Sequence, residues 1–192
     1  MSIAFHNPDM TRDQFFAWAE QDGGRWEFDG FEPIAMGGGT FNHSRIVRNL
    51  QTALHRRLRG SFCQSAGPDA GLATIGDAVR YPDALVTCAE VPGDARVVPG
   101  VVIVFEVISP STAQTDRIIK LREYRAVPSI RRYVIVEQTS IGLTVLTRAA
   151  AAEDWTATAL TAEETLQMPE IGIEIPVAEI YEDVDFPGAA EQ

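Results

Sequence analysis

VVIVFEVISPST, residues 101–112, places one acid inside an otherwise apolar run. Five apolar residues lead into Glu106 and two follow it, before a Ser-Pro-Ser-Thr turn signal. A short apolar run bounded by turn residues predicts a strand over 101–108, buried on both faces. An ionised carboxylate in such a strand costs several kcal/mol unless it is paired or bound to a cation. Glu106 therefore needs a partner.

The flanking segments supply candidates. VRYPDALVT (79–87) reads as one preceding strand, 113–125 as a following helix and RRYVIVEQ (131–138) as the next strand. Strand side chains alternate between faces. Asp83 then shares a face with Leu85 and Thr87, and Glu106 shares one with Val102, Val104 and Ile108. If the two strands are neighbours, Asp83 and Glu106 meet. Two carboxylates that close cannot both stay ionised without a cation. Acidic oxygen-rich sites of this kind suit Mg²⁺ or Mn²⁺. On the helix, Asp116, Lys120 and Tyr124 follow an i, i+4, i+8 spacing and lie on one face. Packing falls to Ile119, Leu121 and Val127. A lysine reaching from that helix to Glu106 compensates the carboxylates and can orient a water or steady developing charge.

The rest of the chain frames this centre. Residues 11–22 read as a helix with Thr11 as N-cap and Gly23-Gly24 as its stop. RWEFDG and FEPIAM flank Asp29-Gly30, a hairpin signal. Asn42 reads as the cap of a helix to Leu58, with Ile46, Val47, Leu50, Leu54 and Leu58 on one face. Short strands are predicted at 62–65 and 72–75, a hairpin partner at 142–149 and an outer strand at 155–161. A short strand and a helical turn close the chain, and its last residues are expected to fray. Hairpins combined with one crossover helix predict a single α/β domain, a mixed sheet flanked by helices.

Composition is ordinary for a globular chain: 45% hydrophobic and 22% charged residues among 192. No apolar run approaches the roughly 18 residues of a membrane span. The N-terminus lacks the basic-then-apolar order of a signal peptide. Cys63 and Cys88, in no CxxC pair, are expected to be buried free thiols in a reducing cytoplasm. The net charge of −11 opposes phosphate. Within it, 45–59 holds Arg45, Arg48, Arg56, Arg57 and Arg59 without an acid, a basic strip, while 163–192 has no Lys or Arg. Gly37-Gly38-Gly39 is no P-loop, because no GK[ST] follows. His6, His43 and His55 support no Ser-His-Asp or Cys-His arrangement.

YPD at 81–83, FEVISPST at 105–112, then Asp116, Lys120 and Tyr124, then RRYVIVE at 131–137 resemble the Uma2 family in order and spacing. That is a group of bacterial proteins with the restriction-endonuclease-like PD-(D/E)xK nuclease fold. WEFDG at 26–30 and His43 at a helix start are also similar to that family, and the resemblance covers about residues 10–182. It implies that Pro82-Asp83 is the PD element and that Asp83 and Glu106 are metal ligands, joined by the carbonyl of Val107. Glu27 is implied as a looser third acid. The motif's lysine should stand two residues after Glu106, where this chain has Ile108; the resemblance shifts that role to Lys120. His43, Asp116 and Tyr124 are implied as possible substrate contacts. The implied activity is Mg²⁺- or Mn²⁺-dependent hydrolysis of phosphodiester bonds, in DNA before RNA, by a homodimer.

Plainer roles compete for the same residues. Asp83 can cap the turn after Pro82, Glu106 can pair with a buried Arg or Lys, and Asp116 can favour its helix N-terminus. Lys120 can be a solvated helix residue, Tyr124 can be packing and His43 a polar residue at a helix start. Two other functions fit the −11 charge and the displaced lysine: a catalytically inactive binding module, or a metal-dependent hydrolase of a smaller substrate.

Overall fold

The computed structural model describes residues 10–108, 113–151 and 153–186, with the side chains of 113–117 outside that description. The turn at 109–112 and the side chain of Asp116 therefore lie outside the described residues, as do the extreme ends of the chain. Among the described residues the order is α1 (Arg12–Asp22), β1 (Trp26–Phe28), β2 (Pro33–Ala35), α2 (Phe41–Leu58), β3 (Gln64–Ala66), β4 (Leu72–Ala73), β5 (Val79–Arg80), β6 (Ala84–Thr87), β7 (Val101–Ile108), α3 (Ala113–Ala126), β8 (Arg132–Glu137), β9 (Leu143–Thr147), β10 (Thr156–Leu160), β11 (Thr165–Met168), β12 (Ile173–Pro176) and α4 (Val177–Ile180).

A six-stranded sheet in the order β10-β9-β8-β7-β6-β3 carries the site; β2-β1-β5-β4 form a smaller sheet and β11-β12 a ribbon. In the large sheet only β7 and β8 run parallel, joined by the crossover helix α3; β6 pairs with β7 antiparallel. This is the mixed sheet flanked by helices that the pattern predicts.

Alternation along β7 divides the core. Ile103, Phe105 and Val107 face a cluster with Ile46, Leu50 and Leu54 of α2 and Val177 and Ile180 of α4. Val104 and Ile108 face a second cluster with Tyr124, Ile130 and Tyr133, on the α3 side. Glu106 therefore points towards α3, and Lys120 and Tyr124 come within its reach. A third cluster, Phe15, Phe28 and Val79, packs α1 on the small sheet.

Several local expectations are corrected. The segment 79–87 is not one strand: β5 belongs to the small sheet and β6 to the large one, with Tyr81-Pro82-Asp83 between them. Pro82 has no N–H to give a ladder, and the chain changes sheets there. The N-cap of α2 is Thr40, whose side chain accepts from the His43 N–H at 3.2 Å. Asn42 instead lies inside the helix and donates to the Asp185 carbonyl at 2.7 Å. Ile119 does not pack; it is exposed, as is Ile118, and Tyr124 takes the packing with the partly buried Leu121 and Val127.

The cysteines are not free thiols. Gln64 stands opposite Thr87 in the β3–β6 ladder, so Cys63 and Cys88 face each other just beyond it and form a disulfide, with Cα atoms 4.0 Å apart. Their 25-residue separation hides a pairing that only sheet register creates. The basic strip is also partly consumed. Arg57 forms a bidentate pair with Glu179, and Arg45 donates to the Asp183 carbonyl and lies near Asp185, so both tie α2 to the C-terminal segment. No described helix is long and apolar enough to cross a membrane.

Candidate functional site

The register of β6 on β7 builds the site. Ala84 pairs with Phe105, which leaves Asp83, one residue before β6, opposite Glu106. With no strand residue there, the Asp83 side chain takes up the Val107 N–H through Oδ2 at 2.7 Å. Its main-chain carbonyl accepts from Gln51 Nε2 of α2 at 2.9 Å. Asp83 is thus pinned between the sheet and α2, and its other oxygen, Oδ1, lies 3.3 Å from His43 Nε2.

Glu106 is buried. Its Oε1 accepts from Lys120 Nζ at 3.0 Å and from the Tyr124 hydroxyl at 2.6 Å, one helical turn apart on α3. The Lys120 side chain is only 12% exposed, so it is no solvated helix residue. It also stands 3.3 Å from Glu27 Oε1. Glu27, on β1, accepts from the Tyr81 N–H at 3.2 Å and meets Arg80 at 3.2 Å. Arg80 in turn makes two hydrogen bonds to Glu123, at 2.6 and 2.7 Å. A chain of alternating charge, Glu106–Lys120–Glu27–Arg80–Glu123, therefore links the two sheets through α3.

Electrostatics follow from burial. Desolvation drives the Glu106 carboxyl up to about 7; Lys120 and Tyr124 oppose this, while Asp83 and Glu27 reinforce it. The His43 imidazole is raised, first by the Asp83 carboxylate as acceptor, against the opposing effect of burial. The charge of Asp83, that of Glu106 and the Val107 main chain add to the rise. Burial works against the Arg80 charge, but the Glu123 carboxylate overrides it and raises the pKa. The Tyr124 hydroxyl is raised well above the usual phenol range by burial and then by Glu106.

Asp83, Glu106, His43, Lys120 and Glu27 open onto a cleft of about 1090 Å³. Its lining includes Arg25, Arg48, Lys120, His43 and His55 beside Glu27, Asp83 and Glu106. Gly37-Gly38-Gly39 forms part of the wall. A Cβ added at Gly39 would stand 2.7 Å from His43 Nδ1, so this glycine lets the ring lie against the loop.

The structure brings together Asp83, Glu106, Val107, Lys120, Glu27, Tyr124 and His43; the side chain of Asp116 lies outside the described residues. Sequence reasoning missed Arg80, Glu123 and Gln51, polar residues in β5, α3 and α2 that no spacing sets apart. It also passed over one signal: Lys120 is the single lysine of the chain, all fifteen other basic residues being arginine. Among the described residues, no three His, Cys, Asp or Glu side chains gather as a metal-binding group. The oxygen donors nonetheless fit a hard divalent cation: two carboxylates on adjacent strands and the Val107 carbonyl.

Fold and geometry together define a nuclease-like α/β protein. A crystal structure described as "a putative nuclease belonging to DUF820", from Anabaena variabilis ATCC 29413, superposes with a TM-score of 0.69 at 13% identity, over 90% of this chain and 98% of that one. The Uma2 family model, described as "putative restriction endonuclease", matches residues 12–178, and the chain belongs to that family. Two uncharacterised proteins of Synechocystis sp. (strain ATCC 27184 / PCC 6803 / Kazusa) are similar. One, slr1290, is 29% identical over 184 residues, 93% of this chain and 95% of its own length. The other, sll1609, is 26% identical over 133 residues, 67% of this chain and 75% of its own.

Proposed function

We propose that this protein is a divalent-metal-dependent nuclease that hydrolyses phosphodiester bonds in DNA, with Mg²⁺ or Mn²⁺ as cofactor. The observation that carries the reading is the convergence of Asp83, just before β6, Glu106 on β7 and Lys120 on α3 in one open cleft. Asp83, Glu106 and the Val107 carbonyl hold the cation. When bound, it neutralises charge on the scissile phosphate and makes water a better nucleophile near neutral pH.

The chain's own residues do the positioning. Lys120 presents an ammonium beside Glu106, where it steadies charge on the phosphate or orients the attacking water. Glu27 holds Lys120 from the other side, and Arg80 holds Glu27. Tyr124 fixes the Glu106 carboxylate by donating to Oε1. The cleft matches the fixed cations Arg25, Arg48 and Lys120 against three acids, which suits a phosphate backbone better than a closed acidic pocket would. A homodimer completes the reading, since two strands must be cut.

A second reading is a nuclease-fold binding module without catalysis. It is favoured by the donors that already satisfy oxygens of Asp83 and Glu106, and by the net charge of −11. Calorimetry with Mn²⁺ and cleavage of a supercoiled plasmid separate the two. The nuclease binds Mn²⁺ and nicks the plasmid, and Asp83→Ala loses both. Equal Mn²⁺ binding by wild type and Asp83→Ala removes the proposed metal site, and plasmid binding without cleavage selects the module.

A further inference from the structure

We propose that Arg48 is a positioning residue that grips a backbone phosphate of the nucleic acid, so that the strand enters the cleft along the outer edge of α2. This rests on the nucleic-acid reading above and names the path the strand takes to Asp83 and Glu106; it applies to the nuclease and to the binding module alike. Helix spacing divides the cleft side of α2 into two edges. His43, Val47 and Gln51, at i, i+4 and i+8, form the inner edge, where His43 and Gln51 touch Asp83. Ser44, Arg48 and Thr52 repeat that spacing one residue later, and His55 extends it by a turn; all four are exposed and line the cleft. From Ser44 to His55 this outer edge runs roughly 16 Å along the helix. It carries a fixed positive charge and no acid.

Arg48 differs from the other arginines of this strip. Arg57 is held by Glu179, and Arg45 by the Asp183 carbonyl and Asp185, so both serve the C-terminal segment. Arg56 and Arg59 do not line the cleft. Arg48 does, and among the described residues it pairs with no carboxylate. Its Nε and Nη2 donate to Asn49 Oδ1 at 3.4 and 3.1 Å. Asn49 is anchored in turn, because its Nδ2 donates to the Ile180 and Glu182 carbonyls at 3.2 and 2.7 Å. A neutral amide thus orients the guanidinium and leaves its charge for an anion. On its far side Arg48 borders a small hollow with Arg45, Asp183 and Asp185. Those acids turn a phosphate away from the Arg45 side and towards the cleft. Arg25, just ahead of β1, stands on another part of the cleft wall, exposed and 4.0 Å from the exposed Asp69. An exposed pair of that length costs little to exchange for a phosphate. On a protein of net charge −11, these two open cations mark the strand's line to the site.

Binding of a fluorescent DNA duplex to the full chain is followed by anisotropy in EDTA over a series of NaCl concentrations. Wild type, Arg48→Ala, Arg48→Lys and Arg45→Ala are compared, with circular dichroism to check folding. Loss of one phosphate contact lowers the slope of log K against log salt by about 1. Arg48→Ala should lose that amount. Arg48→Lys should keep the wild-type slope, because the charge remains. Arg45→Ala should keep it as well, because that residue is committed to the C-terminal segment. On a supercoiled plasmid with Mn²⁺, Arg48→Ala should act on KM more than on kcat, since a phosphate away from the reacting atoms is held alike in ground and transition states. An unchanged slope in Arg48→Ala, or a slope that falls in Arg48→Lys or Arg45→Ala as it does in Arg48→Ala, overturns the assignment; nicking by wild type then still supports the nuclease. Wild type that binds no duplex at the lowest salt also overturns it, and if the plasmid stays intact too, the nucleic-acid reading falls with it.

Discussion

Lys120 reaches Glu106 from the following helix, closing to 3.0 Å, where the usual motif would send a lysine from two residues along the same strand. Ile108 occupies that strand position and is buried in the α3-side cluster instead. A helix position can deliver an ammonium to the same carboxylate because α3 brings Lys120 and Tyr124 within hydrogen-bond reach of Glu106 on β7.

Removing this ammonium should leave the fold and abolish cleavage. Lys120→Ala is expected to lower plasmid nicking by about 10²-fold or more, the usual loss when one charge-stabilising donor is removed. Lys120→Arg should not restore it, because a planar guanidinium cannot replace a compact ammonium between Glu27 and Glu106. Full activity in Lys120→Ala would make the contact purely structural.

Glu106 makes stability depend on pH in a defined direction. Its carboxyl is raised from about 4.5 to about 7 in the folded protein. The folded state therefore binds this proton more readily than the unfolded chain. The resulting stability is fully present below about pH 4.5 and is lost as pH rises through about 7. Glu106→Gln keeps the shape and the acceptor oxygen without the charge. In EDTA at pH 8 it should be more stable than wild type by about 1–3 kcal/mol, and the two should converge near the unfolded carboxyl pKa. Urea melts of both proteins across this range provide the check; a Gln variant less stable at pH 8 would show that pairing with Lys120 outweighs desolvation. Added Mg²⁺ should stabilise wild type and leave the variant almost unmoved.

Arg80 is the structural counterpart. It is buried between Glu27 and Glu123, and Arg80→Met leaves buried Glu123 without its guanidinium partner and Glu27 with Lys120. A loss of about 3–5 kcal/mol is expected. Replacing Glu123 by Gln in the same chain should recover part of it, because the two residues share one contact. Simple additivity of the two changes would contradict the network.

The disulfide joins Cys63 and Cys88 across a sequence separation of 25. On chain-entropy grounds the double change Cys63→Ser with Cys88→Ser should cost about 3 kcal/mol. Dithiothreitol should shift wild type by the same amount and leave the double variant where it is. Equal melts of oxidised and reduced wild type would show that the bond does not hold β3 to β6 in solution.

Much of the site is legible in the chain because its residues sit on regular elements. Alternation in β7 and the i, i+4 face of α3 together point Glu106, Lys120 and Tyr124 at one another. The break at Pro82 is not legible as a change of sheet, since Val79, Arg80, Ala84 and Leu85 are all buried and read as one continuous run. Arg80 and Glu123 are invisible for a related reason: a buried ion pair leaves no periodic mark, and each residue alone looks like surface. The disulfide depends on antiparallel register between β3 and β6, which no local spacing encodes. The single lysine was open to simple counting.

The passage of the chain from one sheet to the other at Tyr81-Pro82-Asp83 has a consequence for the order of folding. The site draws Glu27 from the small sheet, Asp83 and Glu106 from the large one and Lys120 from the crossover helix. The Arg80 ties that join these parts connect residues 53 and 43 positions apart. Contacts that distant close late, after their loops have lost most of their entropy. A nascent chain that has reached β7 carries both site carboxylates but no lysine, and it cannot complete the centre until α3 has docked and the small sheet has delivered Glu27. A molecule in which α3 has not docked would hold Asp83 and Glu106 without Lys120, so two acids would face each other there without the ammonium that lies 3.0 Å from Glu106 in the folded chain.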